Sequence, residues 1–276
     1  MSDITLGIIG GGQLGSMMAI AAKKLNIKTV IFCDDGDAPA QNFCNKFIYG
    51  NYSDNEKIAE FAKITDIVTF EFENIPFETL NEINKLKPVL PKPAVNRIIQ
   101  HRLAEKDFIN KLNIRTTRYA SIEKKSDLDF LEDFLPGILK TTTLGYDGKG
   151  QHPIQSIDEL NSLNIDFSKG YILEKLVKLK KEISIIITRF DSQKYEIYEP
   201  IENTHQNQIL RNSKIPADID NKIFEQSKDW AMTISEELKY IGTLCVEFFI
   251  DRNDNLYVNE IAPRVHNSGH LTINAY

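Results

Sequence analysis

A glycine-rich turn near the N-terminus constrains the fold of this chain more than any other feature. Gly10, Gly12 and Gly15 have the spacing G-x-G-x-x-G, between an apolar run at residues 4–9 and a segment whose apolar residues recur at helical spacing. Asp34 and Asp35 follow about 20 residues later, at the end of a β-branched run. This is the dinucleotide-binding fingerprint in its expected context, where glycines let the backbone approach an anion at a helix N-terminus. The pattern predicts a strand, a tight turn and a helix.

The ligand of this turn stays open when the turn is considered alone. A nicotinamide or flavin cofactor fits it, a substrate phosphate fits it, and so does a tight turn without a ligand. Every other nucleotide-binding feature of the sequence lies after residue 100. We therefore predict that Gly12 and Gln13 serve a substrate and that the turn binds no dinucleotide.

Strand and helix signals alternate over the first 75 residues. The β-branched runs at residues 28–33 and 66–72 flank a helical segment that Asp54 could cap. Such alternation predicts an α/β domain with a parallel, doubly wound sheet. Pro91 and Pro93 mark a change of composition, so we place the first boundary there and expect an N-terminal domain of residues 1–92.

The rest of the chain predicts an α+β fold. We expect one long helix at residues 94–112 and a lid subdomain after it, so that linker helix and lid together occupy residues 93–176. Short polar turns between strand-like runs then favour an antiparallel sheet over residues 177–276, covered by one helix at residues 218–238. The strand-like runs of this sheet lie at residues 181–190, 195–200, 244–250 and 256–261, and two further runs, at residues 138–140 and 171–174, lie in the lid subdomain.

Composition excludes several classes of function. The 276 residues carry a formal net charge of -6 and no basic cluster, which argues against a nucleic-acid-binding protein. No apolar run approaches the roughly 20 residues that span a bilayer, and the N-terminus lacks the features of a signal peptide. We therefore expect a cytoplasmic protein without membrane contact. The three cysteines, Cys33, Cys44 and Cys245, have no metal-binding or disulfide spacing, so neither a zinc site nor a disulfide framework is expected.

A second glycine-rich segment follows Lys140. Gly145, Gly148 and Gly150 lie within six residues of one another, and Lys149 lies among them. The amides of such a loop, together with Lys149, can cover phosphates while Lys140 supplies a fixed cation. The alternative is an ordinary surface hairpin.

Two glutamates occupy strand-like runs near the C-terminus. A two-residue turn at Asn253 and Asp254 would place Glu247 directly opposite Glu260. Two like charges about 5 Å apart repel by on the order of 3 kcal/mol at an effective dielectric constant near 20, unless a cation lies between them. Carboxylates and phosphates are ligands that Mg²⁺ prefers, so we predict a magnesium site here. The alternative is a pair of solvated glutamates on an open sheet face.

The order of these segments resembles a known enzyme family. The segments are the turn at Gly10, Lys140 with LGYDGKGQ, EKLV at residues 174–177, VEFF at residues 246–249 and NEIAPRVHNSGH at residues 259–270. Together they resemble the N5-carboxyaminoimidazole ribonucleotide synthetases, ATP-grasp ligases of purine biosynthesis. The resemblance implies a pre-ATP-grasp domain and an ATP-grasp domain that holds nucleotide between two antiparallel sheets. It also implies that ATP activates bicarbonate as carboxyphosphate, that 5-aminoimidazole ribonucleotide takes up the carboxyl group, and that the protein forms a homodimer.

The resemblance implies a role for each matching residue. ATP phosphates would contact Arg102, Lys140, Gly145, Tyr146, Asp147, Gly148, Lys149 and Gly150. Adenosine would contact Glu174, Lys175, Leu176, Val177, Glu182 and His205, next to Asn259 and Glu260. Glu247 and Glu260 would hold Mg²⁺. The catalytic pocket would contain Arg264, His266, Asn267 and Ser268, and the ribonucleotide would contact Glu73, Tyr146 and Asp147.

Three of these residues also have a structural interpretation. His205 could be a hydrogen-bonded loop histidine, Glu182 an exposed strand residue, and Glu73 the cap of a following helix. The sequence departs from the family at Leu144, where a glycine is common, and at Thr141–Thr143, where basic residues often follow the lysine. Family members also continue beyond Tyr276, so we expect a C-terminally truncated member whose activity has to be measured.

Overall fold

The described residues form three sheets, of which the first is parallel and doubly wound. The computed structural model describes residues 4–143, 150–206 and 209–275. Helices pack on both faces of this sheet, whose strand order is β3-β2-β1-β4, and this confirms the predicted α/β class. Its strands are β1 (Thr5–Ile9), β2 (Lys28–Cys33), β3 (Lys46–Tyr49) and β4 (Ile67–Phe70), and its helices are α1 (Gln13–Lys24), α2 (Asn55–Lys63) and α3 (Phe77–Leu86).

Alternate side chains of these strands fill two separate cores. On β2, Val30 and Phe32 pack with α2 and α3, whereas Ile31 and Cys33 pack with α1. Strands that are buried on both faces read as continuous apolar runs, which is the pattern of residues 28–33. Asp54 caps α2 as predicted, because its carboxylate accepts hydrogen bonds from the amides of Glu56 and Lys57.

The single helix predicted at residues 94–112 is wrong, because two helices occupy this region. They are α4 (Pro93–Ile99) and α5 (Arg102–Lys111). Between them, the side-chain amide of Gln100 donates to the carbonyl of Glu73, and His101 becomes the N-cap of α5. The break frees the amide of Arg102 to donate to the carbonyl of Thr142, 2.9 Å away. It therefore brings the start of α5 to the end of a strand in the second sheet.

The second sheet is antiparallel and small. Its strand order is β5-β8-β6-β7, and β5 and β7 were not predicted. The elements are β5 (Tyr119–Ile122), β6 (Gly137–Thr141), β7 (Gln151–Ile154), α6 (Ile157–Ser162) and β8 (Tyr171–Lys175).

The third sheet is antiparallel and follows the order β12-β11-β9-β13-β14, with β10 paired to β9. One face packs on α7 through the main apolar core, and the other face carries polar groups such as Glu182 and Glu247. The elements are β9 (Leu179–Arg189), β10 (Tyr195–Ile197), β11 (Ile201–Gln206), β12 (Ile209–Lys214), α7 (Asn221–Glu237), β13 (Gly242–Asp251) and β14 (Leu256–Ala262). No helix within the described ranges is long and apolar enough to cross a membrane. The domain boundaries at residues 92 and 176 stay predictions.

In the hairpin of β13 and β14, Glu247 pairs with Glu260 as predicted, but the loop and the register differ from the prediction. The two-residue turn is wrong, because residues 252–254 form a three-residue loop in which Asp254 has a φ of 60°. Phe248 then pairs with Val258, and a β-bulge after that pair brings Glu247 opposite Glu260. Val258 faces the α7 core. On a regular strand, side chains two residues apart point to the same face, so without the bulge Glu260 would lie in that core as well.

Candidate active site

A cleft of about 1320 Å³ brings most of the predicted site residues together. Its walls come from both antiparallel sheets, the N-terminal half of α5 and the loop after β4. Gly145, Tyr146, Asp147, Gly148 and Lys149 lie outside the described residues, and Gly150 stands beside that gap with a φ of 72°. The predicted residues that line the cleft are Gln13, Glu73, Arg102, Lys140, Glu174, Lys175, Leu176, Val177, Glu182, His205, Glu247, Asn259, Glu260, Arg264, His266 and Asn267.

Two buried lysines share one buried carboxylate at the floor of this cleft. Glu174 is 3% exposed, and its carboxylate lies 3.1 Å from Nζ of Lys140 and 3.3 Å from Nζ of Lys106. The Thr117 hydroxyl donates to the same carboxylate. Burial opposes ionisation, but Lys140 and Lys106 outweigh it and lower the pKa of Glu174 to about 2. Burial lowers the pKa of Lys106, whose Nζ also donates to the Thr116 and Thr117 hydroxyls, so Lys140 is the lysine of this cluster that can meet an anion in the cleft.

Sequence reasoning missed Lys106 and gave Glu174 only an adenine contact. Lys106 follows Arg102 by four residues, so the two lie on one face of α5. That spacing is the signal that could have placed Lys106 near the cleft. Its burial, at 1% exposure, and its contact with Glu174 depend on the fold.

A third carboxylate, Glu105, supports the strand that carries Glu260. Glu105 is 3% exposed and accepts a hydrogen bond of 2.6 Å from the amide of Ile261. Burial and the nearby Glu260 raise the pKa of Glu105 to about 8. Arg102 lies 3.6 Å from the Glu260 carboxylate. The amide of Ile261 adjoins the β-bulge, so Glu105 binds the backbone where Glu260 turns into the cleft.

Glu247 and Glu260 face each other with different environments. Nε2 of His266 lies 3.0 Å from the Glu247 carboxylate, and the Asn259 side chain also hydrogen-bonds Glu247. Burial opposes ionisation of Glu247, but His266 outweighs it and lowers the pKa of that carboxyl. Burial and Glu247 raise the pKa of Glu260. Two opposed oxygen ligands, one of them with a disfavoured charge, fit a divalent cation between them.

A chain of buried hydrogen bonds holds His266 from behind. The Ser268 hydroxyl lies 2.9 Å from Nδ1 of His266 and 2.8 Å from the Ser184 hydroxyl, to which the Asn203 amide also donates. Burial opposes ionisation of His266, but Cys245 and Glu247 outweigh it and raise the pKa of this ring to about 11, so Nε2 carries a proton towards Glu247. Ser268 is 0% exposed, so the structure places this predicted catalytic residue behind His266 rather than on the cleft surface.

The rim of the cleft pairs a histidine with a glutamate. Nδ1 of His205 on β11 lies 2.7 Å from the carboxylate of Glu182 on β9. The close contact with the Glu182 carboxylate raises the pKa of His205 although burial opposes this change. Both side chains line the cleft, so their purely structural interpretation is not favoured. Apolar side chains lie in the same wall, namely Leu176, Val177, Leu179, Ile209 and Phe249.

An ion pair joins the N-terminal domain to the third sheet. The guanidinium of Arg264 donates to both carboxylate oxygens of Glu73, and the Nη2–Oε1 distance is 3.0 Å. Burial opposes ionisation of Glu73, but Arg264 outweighs it and lowers the pKa of Glu73. The capping alternative for Glu73 is wrong, because α3 begins at Phe77 with Pro76 as its N-cap and no side-chain cap.

The glycine turn at the N-terminus of α1 already holds a carboxylate of this chain. Glu71 accepts hydrogen bonds from the amides of Gly12 and Gly15, at 2.9 and 3.1 Å. A Cβ atom at Gly10 or Gly12 would lie 2.7 or 3.0 Å from the Glu71 side chain. The glycines therefore make room for Glu71. The anion expected at this helix N-terminus is internal, which favours a turn without a ligand among the three alternatives.

Family models match nearly the whole chain. A model described as "Ribonucleotide synthetase preATP-grasp domain" matches residues 3–100, and one described as "ATP-grasp domain" matches residues 107–276. The chain is 38% identical over 273 residues to N5-carboxyaminoimidazole ribonucleotide synthase of Brucella melitensis, which covers 97% of this chain and 75% of the relative. The chain belongs to this synthase family. The Staphylococcus epidermidis synthase is 37% identical over 98% of this chain and 72% of its own length.

Solved structures of the synthase family have the same fold. The Staphylococcus aureus synthetase complexed with ADP matches with a TM-score of 0.92 and 36% identity, over 99% of this chain and 73% of that chain. The Aspergillus clavatus synthase, in complex with ADP and 5-aminoimidazole ribonucleotide, matches with a TM-score of 0.86 and 26% identity, over 99% and 73%. These findings confirm the predicted family, its pre-ATP-grasp and ATP-grasp fold class and its assignment as an ATP-dependent ligase.

Proposed function

We propose that this chain carboxylates 5-aminoimidazole ribonucleotide with bicarbonate at the expense of ATP, in purine biosynthesis. The observation that carries the proposal is the juxtaposition in one cleft of the Lys140–Glu174–Lys106 cluster and the paired carboxylates Glu247 and Glu260. Excess positive charge suits a triphosphate, and paired carboxylates suit the cation that accompanies it. The products are N5-carboxyaminoimidazole ribonucleotide, ADP and phosphate.

The two ends of a nucleotide fit opposite parts of the cleft. The adenine base would lie on the apolar wall at Leu176 and Val177 and bind backbone groups of residues 174–177. The ribose would contact Glu182 and His205, and the phosphates would lie at Lys140 and Arg102. ADP complexes of the Staphylococcus aureus and Aspergillus clavatus relatives support nucleotide binding by the family.

Glu247 and Glu260 would hold Mg²⁺, with Asn259 beside them. Their direct opposition and the raised pKa of Glu260 support this assignment. Bound Mg²⁺ would neutralise charge on the phosphates during phosphoryl transfer. His266 orients Glu247 through its Nε2 contact, and Ser268 fixes the His266 ring from the other side.

The carboxylation step would take place at the end of the cleft that holds Arg264, His266 and Asn267. Asn267 is exposed in the cleft, and Arg264 is held by Glu73. We assign these residues to bicarbonate, to its carboxyphosphate derivative and to the incoming amine, with Glu73 and Gln13 towards the ribonucleotide. Arg264 supplies fixed positive charge for the activated carboxyl group, so that no reorganisation is needed when the phosphate leaves. Tyr146 and Asp147 belong to the same proposal.

A nicotinamide-dependent oxidoreductase fits the structure less well. Its cofactor would need the amides of the first glycine turn, and Glu71 already accepts hydrogen bonds from Gly12 and Gly15. A homodimer, which rests on the resemblance to the family, and a cytoplasmic location, which rests on the composition of the chain, also belong to our proposal.

The proposed function is tested by measuring phosphate release with ATP, Mg²⁺, bicarbonate and 5-aminoimidazole ribonucleotide, omitting one component at a time. We expect full turnover only when all four are present, and transfer of ¹⁴C from bicarbonate to the ribonucleotide. The matched control is Glu196→Gln, which changes an exposed glutamate on β10, a strand of the third sheet. Phosphate release that is independent of the ribonucleotide and of bicarbonate would contradict the proposal.

A further inference from the structure

Three side chains of different chemistry meet beside the proposed magnesium site. Within the described ranges, Cys245, Glu247 and His266 each offer one ligand atom, and these atoms lie within 4.8 Å of one another. Cys245 and Glu247 are two residues apart on β13 and therefore point to the same face. His266 comes from the segment after β14. We propose that these residues form a binding site for a thiophilic divalent cation, with Zn²⁺ as the reference ion, and that occupation of this site inhibits the enzyme.

The donor set distinguishes this site from a magnesium site. Sulfur, imidazole nitrogen and carboxylate oxygen are the ligands of Zn²⁺, whereas Mg²⁺ prefers oxygen ligands and avoids thiolates. Tetrahedral zinc places neighbouring ligand atoms about 3.3–3.8 Å apart, given its bond lengths. Nε2 of His266 and Oε1 of Glu247 are already 3.0 Å apart. The ion would take the position of the proton between these two atoms, and small rotations would bring in Cys245.

The charge and the burial of the three side chains also favour binding of a divalent cation. Cys245 is 0% exposed, and the side chains of Glu247 and His266 are 14% and 15% exposed. When the thiol and Nε2 of His266 release their protons to solvent, the thiolate and the carboxylate neutralise the two positive charges of the ion. A neutral cluster is the arrangement that a buried metal site requires.

Surrounding hydrogen bonds prepare the ligands. The Ser268 hydroxyl lies 2.9 Å from Nδ1 of His266, where it can accept the proton of a ring that binds metal through Nε2. Asn259 hydrogen-bonds Glu247. Glu247 and His266 line the cleft, so the ion has a path from solvent, and a water molecule can supply the fourth ligand.

Inhibition follows because the two sites share Glu247. This part of the inference rests on the proposed function, in which Glu247 and Glu260 hold Mg²⁺. A thiophilic ion would draw Glu247 towards Cys245 and leave Glu260 alone to bind the magnesium. Metal binding itself depends only on the three side chains.

Binding is tested by titrating the chain with Cd²⁺ in excess Mg²⁺ and recording the ultraviolet thiolate-to-cadmium charge-transfer band. We expect one ion per chain, a band that persists in Cys44→Ser and is lost in Cys245→Ser, and Zn²⁺ affinity at least 100-fold weaker in Cys245→Ser. Calorimetry in buffers of different ionisation enthalpy should show at least one proton released per Zn²⁺. Circular dichroism checks that Cys245→Ser is folded. A band that survives in Cys245→Ser would overturn the site.

Inhibition is tested separately by ribonucleotide-dependent phosphate release at saturating Mg²⁺. We expect micromolar Zn²⁺ to inhibit the unmodified chain, and Cys245→Ser to need at least tenfold more Zn²⁺ for the same inhibition. The cadmium band could depend on Cys245 while Zn²⁺ inhibits Cys245→Ser and the unmodified chain at the same concentration. That result would overturn the inhibitory role and leave the binding site. Absence of turnover in zinc-free buffer would count against the proposed function and not against the cadmium result.

Discussion

Two regions of this protein present hydrogen-bond donors to an anion, and they differ in whether an internal carboxylate satisfies them. At the N-terminus of α1, Glu71 accepts hydrogen bonds from the amides of Gly12 and Gly15, so those two donors have a partner. At the floor of the cleft, Lys140 and Lys106 share one carboxylate, that of Glu174, and Lys106 also donates to the Thr116 and Thr117 hydroxyls. The first region has the stronger sequence motif, but the second has the unbalanced charge.

The difference shows that a glycine motif indicates a close approach of the backbone to an anion, but not whether that anion belongs to the protein or to a ligand. Gly10 and Gly12 are needed because a Cβ there would collide with Glu71. At the cleft, Lys106 and Lys140 repel each other across one carboxylate, so an incoming phosphate lowers the electrostatic energy. A site for an external ligand is therefore recognised by its surplus of charge.

The largest effect is expected for Glu260→Gln, which changes the charge of the cleft. Turnover should fall about 100- to 1000-fold, because the substitution removes one carboxylate of the pair proposed to bind Mg²⁺. The raised pKa of Glu260 means that its charge destabilises the fold above about pH 4.5, the ordinary value for a glutamate, so the metal-free variant should melt at an equal or higher temperature. Phosphate release and metal-free melting are compared with Glu196→Gln. A variant with lower stability and normal turnover would make the pair structural.

The second prediction weakens nucleotide binding without touching the first glycine turn. Lys140→Met should reduce ATP affinity about 100-fold, because a buried charge-assisted contact to phosphate is lost. Lys194→Met changes an exposed lysine and should leave affinity unchanged. Calorimetry with ATP and Mg²⁺ measures both variants. Equal affinity in the two variants would mean that the phosphates lie elsewhere.

The third prediction concerns the satisfied turn. Glu71→Ala should cost about 1–3 kcal/mol of unfolding free energy, because two nearly buried amides lose their acceptor. ATP affinity should stay within about twofold of the original value, less than 1 kcal/mol. Denaturant unfolding and calorimetry are run beside Glu225→Ala, an exposed change on α7. A large loss of ATP affinity, or NADH binding by the original chain, would remove the distinction between the two regions.

Local patterns predicted the parallel sheet, Asp54 as a cap and most strands of the third sheet, because these depend on residues close in sequence. The strands β11 and β12 were missed because their sequences are largely polar, as befits strands towards an exposed edge. The predicted pairing of Glu247 with Glu260 is correct although the predicted loop was one residue too short and the bulge was not predicted, because the two errors cancel. The bulge is supported by Glu105, 156 residues away from Ile261, and no local pattern contains that contact.

Buried charged residues were the least predictable part of the site. Lys106, Glu105 and Glu71 have the composition of a solvated helix face or a loop, and only the fold buries them. The cluster of Cys245, Glu247 and His266 was missed for the same reason, because its members have no metal-binding spacing in sequence. Most of the residues matched through family resemblance line the cleft, and their roles stay predictions.

The smallest effect is expected at Glu105, whose buried negative charge reduces the stability of the protein without nucleotide. The pKa of Glu105 is raised to about 8, so the folded chain holds this proton more tightly than the unfolded chain. The charge of Glu105 therefore destabilises the fold progressively as pH rises from about 4.5 to about 8. Glu105→Gln keeps an acceptor for the amide of Ile261 and removes that charge. The gain should be close to zero at pH 4.5 and reach at least about 1 kcal/mol at pH 9, because one pKa unit corresponds to about 1.4 kcal/mol and Glu260 can share the proton.

Melting curves of Glu105→Gln and of the original chain, recorded with EDTA from pH 4.5 to 9, measure this gain. Glu225→Gln on the surface of α7 is the control and should show no trend. Glu71→Gln should not stabilise the fold, because a glutamine side chain offers one acceptor oxygen to the two amides that donate to Glu71. That contrast separates Glu105, whose charge raises the free energy of the fold, from Glu71. A stability difference for Glu105→Gln that is the same at pH 4.5 and pH 9 would show that the charge of Glu105 is compensated within the fold as well.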